Sequence, residues 1–109
     1  MECLEDAYII VMVTTASKEE AEVIVQRLLE AKLIACANII GSVQSRFVWV
    51  GKIDRAEECL VFMKSRRDLF AELVETVKGL HSYEVPEIIA FPVVEGSKSY
   101  LDWLGSCLR

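Results

Sequence analysis

Two apolar segments that resemble the arms of a β-hairpin constrain the fold of this chain most. The first, 43–50, alternates Phe47 and Trp49 with Val48 and Val50, and the second, 59–64, reads "CLVFMK". The polar stretch 51–58 between them predicts a turn. One face of an antiparallel pair is normally polar, whereas here both faces are apolar. A helix layer can cover one face, and the other is expected to pack on neighbouring chains.

The remaining segments alternate between the periodicities of strands and of helices. A strand is predicted over 7–14, a helix from Ser17 to about 31, an extended stretch over 33–50 that leads into the hairpin, a helix over 67–79, a strand over 88–94 and a short helix after 97. This βαββαβ order with a short C-terminal helix predicts a ferredoxin-like α+β fold. A chain of 109 residues is expected to form one domain over 1–109.

Four local signals place the boundaries of these elements. Ser17 followed by Glu20 is the pattern of a capping box at a helix start. Gly41 indicates a bulge or bend in the extended stretch, and Gly79 indicates the end of the second helix. Pro92 cannot donate a ladder hydrogen bond, so its strand is expected at an edge or a bulge.

The composition excludes several classes of function. The net charge is −5 and the densest basic patch is 64–67, too little for a general nucleic-acid binder. The apolar runs are too short to span a membrane. The chain has no P-loop and none of the hydrolase or metalloprotease motifs, so no enzyme activity is expected. A hydrophobic content of 53% is high for a small domain and favours an oligomer.

The four cysteines are expected to be free thiols. None has the C-x-x-C spacing of a metal or redox motif, and the sequence shows no signal peptide, so a reducing cytoplasm is predicted. Cys36 and Cys59 are interpreted as small buried hydrophobes. Cys3 and Cys107 lie near the ends and are given no role.

The segment "HSYEVPE" carries most of the residues with potential chemistry. His81, the only histidine, is either a copper or zinc ligand or a hydrogen-bonding residue at a helix C-terminus. Glu84 and Glu87 are either cation ligands or partners of Lys64 or Arg66 in ion pairs.

Three further residues are candidates for lining a ligand cleft. Lys64 ends an apolar strand, where it either meets an anionic ligand or extends its ammonium group to solvent. Trp49 and Tyr83 either wall such a cleft or anchor a subunit interface, where aromatic residues are enriched.

Five segments, in their order and spacing, carry a resemblance to a known family: "LIACANII", "SRFVWVGKI", "LVFMKSR", "HSYEVPEIIAFPV" and "YLDWL". Through these segments the chain resembles the CutA family of divalent-cation tolerance proteins. The resemblance implies a ferredoxin-like protomer in a tight homotrimer, joined through long β-hairpins that pair edge to edge. It also implies a likeness to the PII signalling proteins and a role in tolerance of copper and other divalent metals.

The sequence departs from the family pattern at three positions. Ser82 replaces a common proline, Thr14 stands where some members have cysteine, and Leu80 stands where some have a second histidine. A metal at His81 would therefore need help from Cys36, Glu84, Glu87 or another subunit.

Two functions follow as hypotheses. The first is a cytoplasmic trimeric binding protein that contributes to copper tolerance, with His81 as metal ligand and no required cofactor. The alternative is a PII-like sensor that binds a small anion between subunits near Lys64, Glu84 and Trp49.

Overall fold

The computed structural model describes residues 7–109, which form four strands and three helices. Their bounds are β1 Tyr8–Thr15, α1 Lys18–Glu30, β2 Cys36–Trp49, β3 Lys52–Arg66, α2 Phe70–Leu80 after a 3₁₀ turn at Arg67–Leu69, β4 Ile88–Pro92 and α3 Lys98–Cys107. The predicted βαββαβ order with a C-terminal helix is confirmed. Cys3 lies outside the described residues.

The strands form one antiparallel sheet in the order β2-β3-β1-β4. β1 and β3 are thus the central strands and β2 and β4 the edge strands, as in ferredoxin-like folds. β4 is an edge strand, which confirms the position that Pro92 predicts.

One face of the sheet is covered by α1 and α2. Val11 from β1 and Met63 from β3 point to this side and are fully buried. They pack in one core with Leu28 of α1 and Leu73 of α2. Burial of such side chains contributes roughly 1.5–3 kcal/mol each relative to exposure, so this layer is the main source of folding energy.

In the part of the chain that the structure describes, the opposite face of the sheet is not covered by α1 or α2. Its apolar residues are half-buried or exposed because alternation along the strands turns them away from α1 and α2. They are Ile10, Met12, Ile40, Leu60, Phe62, Ile89 and Phe91. We call this set the uncovered face. α3 lies at one end of it, where Tyr100 Oη is 3.6 Å from Cys36 Sγ.

The hairpin is longer and its turn is tighter than the sequence predicts. Val50 and Gly51 alone form the turn, with φ values of 50° and 75° that fit a type I′ turn. Trp49 pairs with Lys52, so the predicted turn over 51–58 is wrong. The sequence did not predict a strand over 52–58 because these residues are mostly polar. Most of them face solvent on a hairpin that extends beyond the helices.

The bend expected at Gly41 is a bulge within one continuous strand. The register of β2 against β3 shifts between Ile40 and Val43. Ser42, and not Gly41, takes the left-handed conformation at the bulge, with φ of 64°. Its hydroxyl donates to Glu57 on the partner strand at 2.8 Å, which supports the bulge.

Two other boundaries differ from prediction. Gly79 lies within α2, which continues to Leu80 and is followed by His81 in an extended conformation. The predicted extended stretch over 33–50 begins as a strand only at Cys36. Leu33 and Ile34 are buried in the preceding loop, so their apolar character reflects core packing rather than a strand.

Candidate functional site

The loop between α2 and β4 folds over the end of β1 and is held there by His81. The His81 Nε2 atom is 2.7 Å from the carbonyl oxygen of Thr14. The Tyr83 N–H donates to His81 Nδ1 at 3.0 Å. Since Nδ1 accepts, Nε2 carries the proton and donates to Thr14. Both ring nitrogens are thus occupied by main-chain partners, as expected for the structural interpretation of His81.

Glu20 fixes the same loop from the other side. Its carboxylate accepts from the Ala16 N–H at 3.0 Å and from the Ser82 N–H at 2.7 Å. Burial raises the pKa of Glu20, but the hydrogen bonds from Ser82 and Ala16 outweigh this effect and the pKa is lowered overall. The capping box is therefore only partly formed: Ser17 Oγ accepts from the Glu20 N–H at 3.1 Å, while the Glu20 side chain joins two loops.

Tyr83 reaches across the uncovered face to a buried carboxylate. Its hydroxyl donates to Glu58 Oε2 at 2.8 Å, and Glu58 is only 8% exposed. Burial, the hydrogen bond to Glu58 and the nearby negative charges raise the pKa of Tyr83 to about 12. The tyrosine is therefore protonated at neutral pH and remains a hydrogen-bond donor.

A cavity of about 320 Å³ opens beside this pair. It lies between the α2–β4 loop, the end of β1 and the hairpin. We call it the site cavity. Its lining residues are Thr14, Ser45, Arg46, Phe47, Glu58, Tyr83, Val85 and Glu87. All of them belong to one chain, and the volume is that of a small organic molecule rather than of a single ion.

The structure brings together only some of the residues that the sequence predicts for a cleft. Tyr83 and Glu87 line the site cavity, whereas Glu84 is exposed and outside its lining. Lys64 is six residues from Glu58 on β3, or roughly 20 Å along an extended strand. Trp49 is 55% exposed at the hairpin tip. A cleft that includes Lys64 or Trp49 would have to be completed by another subunit.

Within residues 7–109, no ion pair joins Glu84 or Glu87 to Lys64 or Arg66, the pairs predicted as the alternative role of the two glutamates. Lys64 donates to the side-chain oxygen of Asn38. Arg66 pairs with Asp68 and also contacts the main-chain oxygen of Arg109.

A single-chain metal site is not formed by the residues that the structure describes. Within 7–109 no group of three or more His, Cys, Asp or Glu side chains converges. Cys36, a suggested helper of His81, lies on β2 opposite Lys64, at the far end of the sheet from Thr14. Cys59 is buried as predicted, whereas Cys36 is half-buried.

Sequence reasoning missed Glu58, Phe47 as a cavity wall, and the second role of Glu20. Glu58 directly precedes the apolar strand, and alternation places it on the same side as Leu60 and Phe62. That alternation was a usable signal for Glu58. The predicted turn over 51–58 concealed it.

The fold and this cavity define a class: small ferredoxin-like proteins with a ligand-sized site beside an uncovered apolar sheet. Within 7–109 no helix has the length and apolar character needed to cross a membrane. The model of the CutA1 divalent ion tolerance protein family matches residues 9–107. The chain belongs to this family.

Three relatives illustrate the similarity. A divalent-cation tolerance protein CutA of Thermus thermophilus is 42% identical over 95 residues, covering 87% of this chain and 92% of the relative. A chloroplastic CutA of Arabidopsis thaliana is 38% identical over 101 residues, covering 93% and 56%. The solved structure of a periplasmic divalent cation tolerance protein from Archaeoglobus fulgidus has a TM-score of 0.90 at 43% identity, covering 94% and 99%.

Proposed function

We propose that this chain forms a homotrimer that contributes to tolerance of divalent cations, copper among them, in the cytoplasm. The family supports the role in cation tolerance. The observation that carries the proposed assembly is the uncovered face, which places a band of apolar side chains next to the site cavity. The names of relatives include chloroplastic and periplasmic proteins, so cell fractionation is the test of the proposed cytoplasmic location.

The uncovered face has the character of a subunit interface. Ile40 and Ile89 are 46% and 45% exposed, and Phe91 is 44% exposed, on one continuous sheet surface. Contiguous apolar patches of this kind mark interaction sites. The hairpin tip adds Val48 and Ile53, which are 72% and 85% exposed. A closed oligomer would remove both surfaces from water and protect the sheet edges.

Light scattering tests the assembly. We expect the wild-type protein to have three times the mass of one chain, and Phe62→Glu to dissociate it because a charge on the uncovered face would be buried unpaired. Val23→Glu is the matched control, since Val23 is an apolar residue 54% exposed on the outer side of α1. A wild-type mass of one chain, or equal dissociation by both variants, would rule out this interface.

Copper binding is the finer part of the proposal, and His81 remains its candidate ligand. Coordination would have to displace the Tyr83 N–H from Nδ1 or break the Nε2 bond to Thr14. Carboxylates of Glu84 and Glu87, on the same loop, are candidates for the remaining positions. Isothermal calorimetry with Cu²⁺ and Zn²⁺ should show binding that weakens in His81→Ala. Heat no larger than that of a buffer titration would exclude direct coordination.

A PII-like sensor of a small ligand is the second candidate, and the site cavity favours it. A preformed concave site with a few polar groups is typical of small-ligand binding. The predicted anion is less well supported, because Lys64 is bonded to Asn38 and distant from the cavity.

A further inference from the structure

We propose that the site cavity binds a small organic cation, namely an ammonium group on a short apolar body. This inference rests on the second candidate function, since it names the class of ligand that such a sensor would recognise. It also replaces the small anion that the sequence predicts.

Two of the three charged residues that line the cavity are carboxylates. Glu58 and Glu87 both line it. Arg46 also belongs to the lining, but it alternates with Ser45 and Phe47 along β2, so its side chain points to the opposite side of the hairpin. On that side of the hairpin, Arg46 is paired with Arg55 of β3 and lines a separate cavity. An anion in the site cavity would meet two carboxylates, whereas a cation would be attracted by both.

The environment of the Glu58 carboxylate favours binding of a cation. It is only 8% exposed, and its Oε2 atom accepts from the Tyr83 hydroxyl. Its Oε1 atom has no hydrogen bond within residues 7–109. A carboxylate so largely removed from water gains more from a charged donor than an exposed one does.

Aromatic and apolar side chains provide the rest of the wall. Phe47 is 39% exposed and Tyr83 is half-buried, and both line the cavity together with Val85. Aromatic faces attract organic ammonium groups through cation–π interactions. This combination of carboxylates and rings suits an alkylammonium ion, whose apolar part needs contacts that a hydrated metal ion does not use.

The size of the cavity favours the organic cation over a bare metal ion. A volume of about 320 Å³ is roughly ten times the share of one water molecule in liquid. The two carboxylates are not joined by a third His, Cys, Asp or Glu ligand within the described part of the chain.

Choline and its neutral isostere 3,3-dimethyl-1-butanol test the proposal directly. The two molecules have nearly the same shape and differ in charge. Calorimetry and thermal unfolding of the full chain should show binding and stabilisation by choline and none by the alcohol at equal concentration. Acetate and inorganic phosphate serve as anionic probes and should not bind.

Matched variants locate the binding. Glu87→Gln, an exposed change that leaves the fold intact, should weaken choline about fivefold. Phe47→Leu should weaken it about threefold by removing the cation–π contact while keeping an apolar wall. Glu57→Gln is the control, because Glu57 is on the other side of the same strand, bonded to Ser42. Circular dichroism confirms that each variant is folded.

Four results would overturn the proposal. They are equal binding of the alcohol, binding of an anion in place of choline, equal loss in Glu57→Gln, and no binding of choline by the wild type. The test measures ligand binding rather than mass, which separates it from the assembly experiment. Glu87 is also a candidate metal ligand, so Phe47→Leu, which removes no metal ligand, separates choline binding from copper binding. A trimer that binds copper but not choline would refute this inference alone. A monomer that binds choline would refute the assembly alone.

Discussion

The two faces of the sheet have the same apolar chemistry and opposite environments. On β3, Val61 and Met63 are buried beneath the helices, whereas Leu60 and Phe62, one residue away in each case, are only half-buried. Side-chain type cannot distinguish these faces, since all four residues are hydrophobic. The difference comes from the helix crossovers, which cover a single side. The covered face stabilises the fold, and the uncovered face is the surface that the proposed assembly would bury.

The largest expected effect compares one variant on each face by how its resistance to urea depends on protein concentration. Met63→Ala should destabilise the chain by about 2–5 kcal/mol through a cavity in the covered core, at every concentration. Met63→Ala leaves the uncovered face intact, so its urea midpoint should still rise with protein concentration as that of an oligomer does, whereas Phe62→Ala should act mainly through assembly and lose this rise. Urea unfolding at two concentrations makes the comparison. An equal concentration dependence in both variants would contradict the division of roles.

A smaller effect is expected at His81, where the loop joins the end of β1. His81→Ala removes the bond to Thr14 and leaves the Tyr83 N–H without its acceptor. We expect a loss of about 1–3 kcal/mol in the free energy of unfolding. Glu84→Ala is the control, because Glu84 is an exposed residue of the same loop. Unchanged stability of His81→Ala in chemical denaturation would show that the ring does not hold the loop.

The smallest effect concerns acid stability at Glu20. Its pKa is lowered in the folded chain, so its contribution is present above the ordinary glutamate pKa of about 4.3 and is lost as pH falls through the lower folded value. Glu20→Gln should cost about 1 kcal/mol at pH 7 and should flatten the decline in stability below pH ~4.3.

Melting curves between neutral and acidic pH measure this difference. Glu22→Gln is the matched control, since Glu22 forms only an exposed ion pair with Lys18 on the same helix. The account of Glu20 fails if the two variants have the same pH profile.

The sequence was sufficient for the order of elements but not for the length of the hairpin. Short runs that are apolar on both faces identified the strands that contact the helices. This criterion failed over 52–58, where Asp54, Arg55 and Glu57 face water on a projecting ribbon. The tight turn was also concealed, since Val50 is a poor choice for a positive φ and only Gly51 signals it.

Part of the candidate site was also predicted from the sequence. The segment after α2 was identified, and it holds Tyr83 and Glu87. Glu58 was missed because it was assigned to a turn over 51–58, whereas β3 continues through it. His81 acts through hydrogen bonds with the main-chain groups of Thr14 and Tyr83. Since every residue has main-chain groups, the residue types at these positions do not indicate such bonds.

Carbene footprinting of the wild-type protein tests most directly whether the uncovered face is an interface. Ile40, Ile89 and Val23 are 46%, 45% and 54% exposed in a single chain, so they should label alike if the chain is alone in solution. We predict strong labelling of Val23 and protection of Ile40 and Ile89. Equal labelling of all three residues would contradict the account.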